Sequence, residues 1–292
     1  MTELTWLITG SSRGFGRALA TAALEVGDRV VATARNPGQV GDLVEQYPDQ
    51  ALAVALDVTD QAAVQSAFEA GTDRFGRIDV VVNNAGYANV APVETGSEED
   101  FRRQFETNFW GVYNVSRAAV PLLRNQGGGT IIQFSSIGGR VGGSAGIGSY
   151  QAAKFAVDGL TRVLAAETAP LGIRFLVVEP GGFATDWAGS SMQVLDIPEE
   201  YEQTVGAMVR YRSSGSAAGD PRRAGEILVR LVRRHHLPMH LVLGAGAVEM
   251  AQDYSESQLA EADSWAEVSR SADFDEPYPA SFPADMQATA TS

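Results

Sequence analysis

Residues 4–24 read LTWLITGSSRGFGRALATAAL, and this stretch decides the fold. Its first six residues are a short apolar run typical of a buried strand, and apolar residues recur with helical spacing in its last part. Between the two lie Gly10, Gly14 and Gly16. Glycine lets a backbone turn sharply and approach a pyrophosphate closely, and the free N–H groups of the helix that follows attract anions. The stretch therefore predicts a dinucleotide-binding turn, with a plain connection between strand and helix as the alternative.

The alternation of strand and helix continues along the chain. Further strands are predicted at Arg29–Ala34, Ala51–Leu56, Ile78–Val82, Thr130–Phe134, Ile173–Val178 and Leu241–Leu243. Helices are predicted at Pro37–Gln46, Gln61–Phe75, Ser97–Leu123, Ser149–Ala169 and Pro221–Arg234. Strands separated by segments of helix length form parallel sheets, and ligands bind at the carboxyl ends of such strands. We therefore expect an α/β fold with its binding site along one edge of the sheet.

Composition bounds the kind of protein. The chain has 292 residues, 45% of them hydrophobic, which suits a domain with a sizeable core. It has no cysteine, which excludes disulfides, thiolate nucleophiles and cysteine-ligated metals. The net charge of −14 repels nucleic acids and anionic lipid surfaces. The first residues do not resemble a signal peptide, and no apolar run approaches the ~18 residues of a membrane span. We expect a cytoplasmic protein that does not bind a membrane.

The end of the chain differs in composition from the rest. Residues 251–292 contain nine acidic residues and one basic residue. Leu259, Trp265 and Val268 predict one amphipathic helix that packs against the body or a partner, and the prolines that follow argue against regular structure. We therefore divide the chain into a single α/β domain at residues 1–250 and an acidic C-terminal extension, first partly helical and then irregular.

Two basic side chains lie where the adenosine end of a dinucleotide would bind. The second strand leads into Arg35, and Arg13 is part of the glycine-rich turn. A carboxylate after this strand binds the ribose 2′-hydroxyl of NAD, whereas an arginine binds the 2′-phosphate of NADP. Two bases without an acid favour NADP, and a solvated loop arginine is the alternative for Arg35. Asp57, after the third strand, either accepts a hydrogen bond from an adenine or caps the next helix.

Asparagines mark two further positions. The fourth strand leads into Asn83-Asn84-Ala85-Gly86, whose small and amide side chains can line a cofactor with hydrogen bonds. An ordinary turn rich in asparagine is the alternative. Asn108 lies inside the predicted helix Ser97–Leu123, where an asparagine is unfavourable and therefore requires an explanation.

The segment Ser149-Tyr150-Gln151-Ala152-Ala153-Lys154 begins a predicted helix. Positions i and i+4 share a helix face, so the phenol and the ammonium can point into one site. A free phenol, with a pKa of about 10, is a poor acid–base catalyst near neutrality, and a nearby ammonium lowers that pKa. The pair is a candidate proton donor and acceptor. The alternative is an ordinary amphipathic helix with a tyrosine in its first turn and a lysine on its solvent-exposed face.

Together these motifs resemble the short-chain dehydrogenase/reductase family over roughly residues 4–245. The matching positions are Thr9-Gly10-x-x-x-Gly14-x-Gly16, Asn83-Asn84-Ala85-Gly86, Asn108, Ser136, Tyr150-x-x-x-Lys154 and Pro180-Gly181. The resemblance implies a Rossmann-like, doubly wound parallel sheet with helices on both faces and a nicotinamide cofactor. Arg13 and Arg35 resemble the branch of the family that prefers NADP. We therefore expect an NADPH-dependent carbonyl reductase or alcohol dehydrogenase.

The resemblance assigns roles to four candidate catalytic residues. Tyr150 would be the general acid in carbonyl reduction and the general base in alcohol oxidation. Lys154 would bind the nicotinamide ribose and lower the pKa of Tyr150. Ser136 would donate a hydrogen bond to the substrate oxygen, and Asn108 would hold a water that relays protons to Lys154. Neighbouring side chains of a strand point to opposite faces, so only one of Ser135 and Ser136 reaches the site, and we choose Ser136.

The resemblance also implies a cofactor site, a substrate lid and an assembly. The expected cofactor-binding residues are Gly10, Ser12, Arg13, Gly14, Phe15, Gly16, Arg35, Asp57, Val58, Asn84, Ala85, Gly86, Tyr150, Lys154, Pro180, Gly181, Phe183 and Thr185. Asp186–Gly219 corresponds to the lid, and its apolar residues, Trp187 and Met208 among them, favour a bulky or apolar ketone or alcohol; packing of the lid on the body is the alternative. The helices Ser97–Leu123 and Ser149–Ala169 correspond to the family's dimer faces, so we expect a homodimer or homotetramer.

Three other kinds of site are less favoured. Gly142-Gly143-Ser144-Ala145-Gly146 fits the G-x-S-x-G pattern of serine hydrolases, but the residues before Ser144 do not form the buried strand that this pattern requires. A non-catalytic NADP-binding regulator would be expected to lose Tyr150 or Lys154, and the chain keeps both. His235 and His236 are adjacent and face different ways, so we expect no metal site.

Overall fold

The computed structural model describes residues 3–185, 192–214, 218–277 and 282–283. Within these ranges seven strands form one parallel sheet in the order β3-β2-β1-β4-β5-β6-β7. They are β1 Thr5–Ile8, β2 Arg29–Ala34, β3 Ala51–Ala55, β4 Val80–Asn83, β5 Gly129–Phe134, β6 Ile173–Pro180 and β7 His240–Leu243. The order reverses between β1 and β4, so the predicted doubly wound, Rossmann-like sheet is confirmed.

Helices cover both faces of this sheet. They are α1 Gly14–Glu25, α2 Gly41–Gln46, α3 Gln61–Phe75, α4 Glu98–Phe105, α5 Gly111–Asn125, α6 Gly148–Thr168, α7 Ala207–Ser214, α8 Pro221–Leu231, α9 Ala245–Ser264 and α10 Ala266–Arg270. Apolar residues of α1, α2 and α8 form one core with one side of the sheet. Apolar residues of α3, α5 and α6 form a second core with the other side.

The surroundings of β1 explain why its sequence is almost wholly apolar. Trp6 and Ile8 point into the core beneath α1 and α8, whereas Leu7 points into the core beneath α3 and α5. All three side chains are fully buried. A strand covered on both faces favours apolar side chains at successive positions, so most of it reads as a continuous apolar run.

The predicted helix Ser97–Leu123 is interrupted. A π-helical turn at Glu106–Trp110 separates α4 from α5, and Asn108 lies in this turn with no exposed surface. Its Nδ2 donates to the carbonyl oxygens of Gln104 and Tyr87, at 2.8 Å each. An inserted π turn is often found at a functional site, and here it accounts for an asparagine inside a helix.

The C-terminal part differs from the prediction of one amphipathic helix. Helix α9 begins at Ala245 and ends at Ser264, where the Ser264 hydroxyl donates to the carbonyl oxygen of Glu261. Such a bond competes with the backbone ladder, and α10 begins anew after Trp265. Only Ala247 and Ala251 of α9 are buried, and Leu259 is 64% exposed. The expected single helix is therefore wrong, and Leu259 does not pack on the body, whereas packing against a partner stays a prediction. The extension is helical as expected.

The segment predicted as a lid is described in part. Residues 186–191 and 215–217, and with them Trp187, lie outside the described residues. Residues 192–214 include a π turn at Glu202–Gly206 that leads into α7. Met192 and Met208 pack against an apolar cluster that contains Tyr150. In the described parts of the chain, no helix is long and apolar enough to cross a lipid bilayer.

The connections after β1 and β4 touch where the strand order reverses. Asn84 Nδ2 donates to the carbonyl oxygens of Thr9, at 2.9 Å, and Gly10, at 3.0 Å. The Thr9 hydroxyl accepts from the backbone N–H groups of Asn84 and Ala85. A Cβ atom on Gly16 would lie 2.3 Å from the Gly10 carbonyl oxygen and 2.4 Å from Asn84 Nδ2. The start of α1 therefore fits against both connections only when residue 16 is glycine.

We predict that Gly16→Ala lowers the free energy of unfolding by about 2 kcal/mol, because the added methyl group overlaps a backbone carbonyl that cannot move freely. Urea denaturation measures the change. Gly41→Ala, at the start of α2, is the matched control: no atom lies within 4 Å of its Cβ position. The control should raise the free energy of unfolding by about 0.5 kcal/mol. Equal effects of the two substitutions would contradict the close approach at Gly16.

Candidate active site

A cavity of about 2290 Å³ opens at the carboxyl edge of the sheet, where the connections after β1, β4 and β5 meet α6 and α7. Its lining includes most of the residues singled out in the sequence: Gly10, Ser12, Arg13, Gly14, Phe15, Arg35, Asp57, Val58, Asn84, Ala85, Gly86, Ser136, Tyr150, Lys154, Pro180, Gly181, Phe183 and Thr185. Gly16 and Asn108 lie behind this lining. The fold therefore brings the candidate cofactor and catalytic residues into one cavity.

The glycine-rich turn presents the start of α1 to the cavity. Gly10 and Gly14 have φ angles of +67° and +57°, which side chains other than glycine rarely adopt. The side chain of Arg13 makes no capping hydrogen bond, and the first turn of α1 has no acidic residue. The N–H groups and the positive end of the helix dipole can therefore bind an anion. This geometry suits the pyrophosphate of a dinucleotide.

Basic side chains lie at one end of the cavity. Arg13 and Arg35 are both exposed and line the cavity wall near Asp57. Asp57 Oδ1 accepts from the backbone N–H and the hydroxyl of Thr59. The next helix is capped instead by Asp60, whose carboxylate accepts from the N–H groups of Ala62 and Ala63. The capping alternative for Asp57 is therefore wrong.

Tyr150 and Ser136 meet at the other end. A hydrogen bond joins the Ser136 hydroxyl to the phenol of Tyr150, and this bond and the charge of Arg212 both lower the Tyr150 pKa. Burial has the larger, opposite effect and raises the pKa of Tyr150 to about 12. The lowered pKa expected from the sequence is therefore wrong for this structure, and Tyr150 carries its proton at neutral pH.

Lys154 lies beneath Tyr150 and is also buried. Its Nζ donates to the carbonyl oxygen of Phe134 at 2.7 Å and lies 5.5 Å from the centroid of the Tyr150 ring. Burial lowers the pKa of Lys154 to about 8. The side chain thus remains mostly protonated at pH 7, close to the phenol.

Asn108 and Lys154 converge on Gly86. A Cβ atom at Gly86 would lie 2.5 Å from Asn108 Oδ1 and 3.6 Å from Lys154 Nζ. Among the described residues, Asn108 Oδ1 has no hydrogen-bond partner although it is buried. A buried carbonyl oxygen of this kind usually accepts from a partner or from water. The carbonyl oxygen of Asn108 and the ammonium of Lys154 thus both lie next to Gly86.

The two adjacent serines after β5 have different surroundings. The Ser135 hydroxyl is buried and donates to the Lys154 carbonyl oxygen at 3.2 Å, so it connects β5 to α6. The Ser136 hydroxyl accepts from the N–H of Gly138 and contacts Tyr150. The structure thus brings Ser136, and not Ser135, to the phenol.

Residues 5–195 match the family model described as short chain dehydrogenase. The chain belongs to the short-chain dehydrogenase/reductase family. It is 48% identical to oxidoreductase BOA17 of Botryotinia fuckeliana (strain B05.10) over 272 residues, which cover 92% of this chain and 98% of that protein. A crystal structure of a short-chain dehydrogenase from Streptomyces avermitilis is similar with a TM-score of 0.87 at 38% identity, and covers 94% of this chain and 100% of that one. The protein is thus an oxidoreductase of this family.

Two other solved structures similar to this chain, each 26% identical to it, hold nicotinamide nucleotides. A reductase from Brucella melitensis is complexed with NADH at a TM-score of 0.71, and a short chain dehydrogenase from Burkholderia cenocepacia is complexed with NADP at a TM-score of 0.72. Since both nucleotides occur in such structures, similarity alone does not decide which one this dehydrogenase prefers. The evidence for the preferred nucleotide therefore has to come from the side chains that line its own cavity.

The surroundings of Ser144 and the positions of the histidines argue against the serine hydrolase alternative. Ser144 lies in a loop between Gly143 and Gly146, both with positive φ, and no strand ends immediately before it. The histidines of the chain are His235, His236 and His240. They follow α8 or begin β7, which places them toward the amino edge of the sheet, opposite the cavity. Ser144 has neither the elbow nor the base that a serine hydrolase requires.

Several cavity residues were missed in the sequence. Gln151, Tyr211 and Arg212 line the cavity, and Gln151 Oε1 accepts from the N–H of Ser144. Gln151 adjoins Tyr150, so its position in the chain was a usable signal. Tyr211 and Arg212 lie in the variable lid, and no motif marks them.

We predict that Lys154→Met stabilises the dehydrogenase at pH 7. The lowered pKa means that the folded protein binds this proton less tightly than the unfolded chain, so wild-type stability rises as the pH increases from about 8 to 10.5. After allowance for the lost bond to Phe134, the variant should be more stable by about 2 kcal/mol at pH 7. Thermal unfolding at pH 7, 8, 9 and 10 measures this. The difference should shrink with pH, and a constant difference would contradict the assignment.

Proposed function

We propose that this dehydrogenase is NADP(H)-dependent and interconverts a ketone and a secondary alcohol, with Tyr150 as the general acid and base. The contact that carries the proposal is the one between the Tyr150 phenol and the Ser136 hydroxyl, above a buried Lys154. These three groups share a cavity with a turn suited to a pyrophosphate. The residues present therefore fit a nicotinamide nucleotide.

The cofactor would supply or accept the hydride, and the protein's own groups would handle the proton. In carbonyl reduction Tyr150 donates its proton to the substrate oxygen as negative charge grows there. Ser136 donates a hydrogen bond to the same oxygen. The Lys154 ammonium stabilises the phenolate that remains. A phenol whose pKa is raised to about 12 holds its proton at neutral pH, which is the form that this step requires.

The proton has to be replaced after each turnover. Lys154 is buried beside Tyr150 and mostly charged at neutral pH, so it can act as the next donor. The carbonyl oxygen of Asn108, which has no hydrogen-bond partner among the described residues, can accept from a water that also contacts Lys154. We therefore propose that Asn108 positions a proton relay rather than the substrate.

The basic end of the cavity supports NADP over NAD. Arg13 and Arg35 line the cavity, and no ion pair joins either of them to another described residue. Asp57 is the neighbouring acid, but it follows β3 and not β2. A guanidinium beside the adenosine ribose attracts the 2′-phosphate of NADP, whereas NAD offers no charge there.

We predict that Arg35→Asp reverses the preference for the nucleotide. The ratio of kcat/KM for NADPH to that for NADH should fall about 100-fold, because a favourable charged contact becomes a repulsive one. Steady-state rates with both nucleotides at one ketone concentration measure the ratio. Arg17→Gln is the control: Arg17 pairs with Asp42 and does not line the cavity. An unchanged ratio in Arg35→Asp would contradict the NADP assignment.

We predict that Tyr150→Phe lowers kcat for ketone reduction by about 1000-fold or more while the dissociation constant for NADPH changes less than about threefold. Absorbance at the nicotinamide band and fluorescence titration measure the two quantities. Tyr47→Phe, on a tyrosine away from the cavity, should change neither. Loss of NADPH binding together with turnover would show that Tyr150 supports the fold rather than the chemistry. A wild-type protein that binds NADPH but reduces no ketone would favour the non-catalytic alternative.

The lid and the assembly complete the proposal. The described lid residues Met192, Tyr201 and Met208 pack against Ala88, Val90 and Ile147 beside Tyr150, which favours a bulky or apolar substrate.

Exposed apolar side chains on two helices support a homodimer or homotetramer. They are Trp110, at the end of the π turn before α5, and Phe155 and Val163 on α6. The cytoplasmic location, the lid role of residues 186–219 and the division between residues 1–250 and 251–292 stay predictions.

A further inference from the structure

Two arginines on α7 have different surroundings. Arg210 is 63% exposed and pairs with Glu202 at 2.7 Å, away from the cavity. Arg212 is half-buried and lines the same cavity as Tyr150 and Ser136. The sequence gives no reason to distinguish them, so the fold alone selects Arg212 for the cavity.

Arg212 is a partly desolvated cation close to the reacting groups. Its charge lowers the pKa of Tyr150, so the guanidinium lies within electrostatic range of the phenol. Burial in turn lowers the pKa of Arg212 itself. A cation that has lost part of its hydration binds an anion more strongly than an exposed one, because the surrounding dielectric constant is lower.

Apolar side chains surround this end of the cavity. Met208 lies one helical turn before Arg212, on the same face of α7. It packs with Val205 and Ile147 in the cluster that contains Tyr150. The substrate end thus combines an apolar wall with a cation near the catalytic hydroxyl. The chain as a whole carries a net charge of −14, so attraction of an anion has to be local.

We propose that Arg212 binds a carboxylate of the substrate, so that the substrate class is an apolar oxo acid and the corresponding hydroxy acid. This inference rests on the proposed reductase function and names its specificity residue. The apolar wall holds the hydrocarbon part, Arg212 holds the carboxylate, and the carbonyl oxygen lies between Tyr150 and Ser136. A neutral ester of the same shape loses the charged contact.

The test compares each of two aromatic oxo acids, benzoylformate and 3-benzoylpropionate, with its methyl ester as a substrate for NADPH-dependent reduction. The wild-type protein should prefer at least one acid to its ester. Arg212→Gln should lower the acid-to-ester ratio of kcat/KM about 30-fold or more, a change typical of losing a charged hydrogen bond. Arg212→Lys should retain part of the ratio, and Arg210→Gln should leave it within about twofold, since Arg210 lies outside the cavity.

Two results would overturn the inference. A wild-type preference for both esters would exclude a carboxylate site. An equal loss on acid and ester in Arg212→Gln would show that Arg212 acts on the proton of Tyr150 and not on the substrate. Calorimetric binding of 3-benzoylpropionate to the NADPH-saturated protein covers the case in which nothing is reduced. If neither acid nor ester is reduced, the proposed reductase function is wrong. Weaker binding of 3-benzoylpropionate to Arg212→Gln than to the wild-type protein would then still support the anion site, and unchanged binding would refute it. Thermal unfolding confirms that each variant is folded.

Discussion

The active site depends on the close contact between the connections that follow β1 and β4. Asn84 donates to two carbonyl oxygens of the glycine-rich turn, and the Thr9 hydroxyl accepts from two N–H groups on the opposite side. These bonds join the two halves of the sheet where the strand order reverses. They also aim the N-terminus of α1 into the cavity and hold Gly86 against Asn108 and Lys154. The proposed phosphate site and the proposed proton donor are thus positioned by one set of hydrogen bonds between side chains and backbone.

Desolvation shifts the pKa values of Tyr150 and Lys154 in the cavity. Tyr150 and Lys154 are both buried, so burial raises the pKa of the phenol and lowers that of the ammonium. Each shift opposes charge in the free protein. At neutral pH only the shift of Lys154 costs stability, whereas Tyr150 is neutral in either state and retains its proton. Asn108 adds a buried carbonyl oxygen that lacks a partner among the described residues. Buried polar groups of this kind, which lower the stability of the fold locally, are typical of functional sites.

The two ends of the cavity are built differently. The cofactor end consists of short connections that start and stop at strand ends, so its backbone is held by the sheet on both sides. The substrate end is closed by α7 and the segment before it, which packs through the small apolar cluster around Ile147 and Val205. A segment held by few contacts can change in sequence without disturbing the sheet, which explains how one fold can serve many substrates.

The sequence alone determined the α/β class, most strand bounds, and the approximate places of Tyr150, Lys154 and the glycine-rich turn. These features follow from local spacing: apolar runs, helix-length separations and residues four apart on one helix. Properties that depend on distant residues required the tertiary structure. It decided that Ser136 rather than Ser135 contacts Tyr150, that a π turn buries Asn108, and that Asp60 rather than Asp57 caps α3. It also reversed the expected pKa shift of Tyr150 and brought Arg212 to the cavity, because burial and charge at a point depend on everything packed around it.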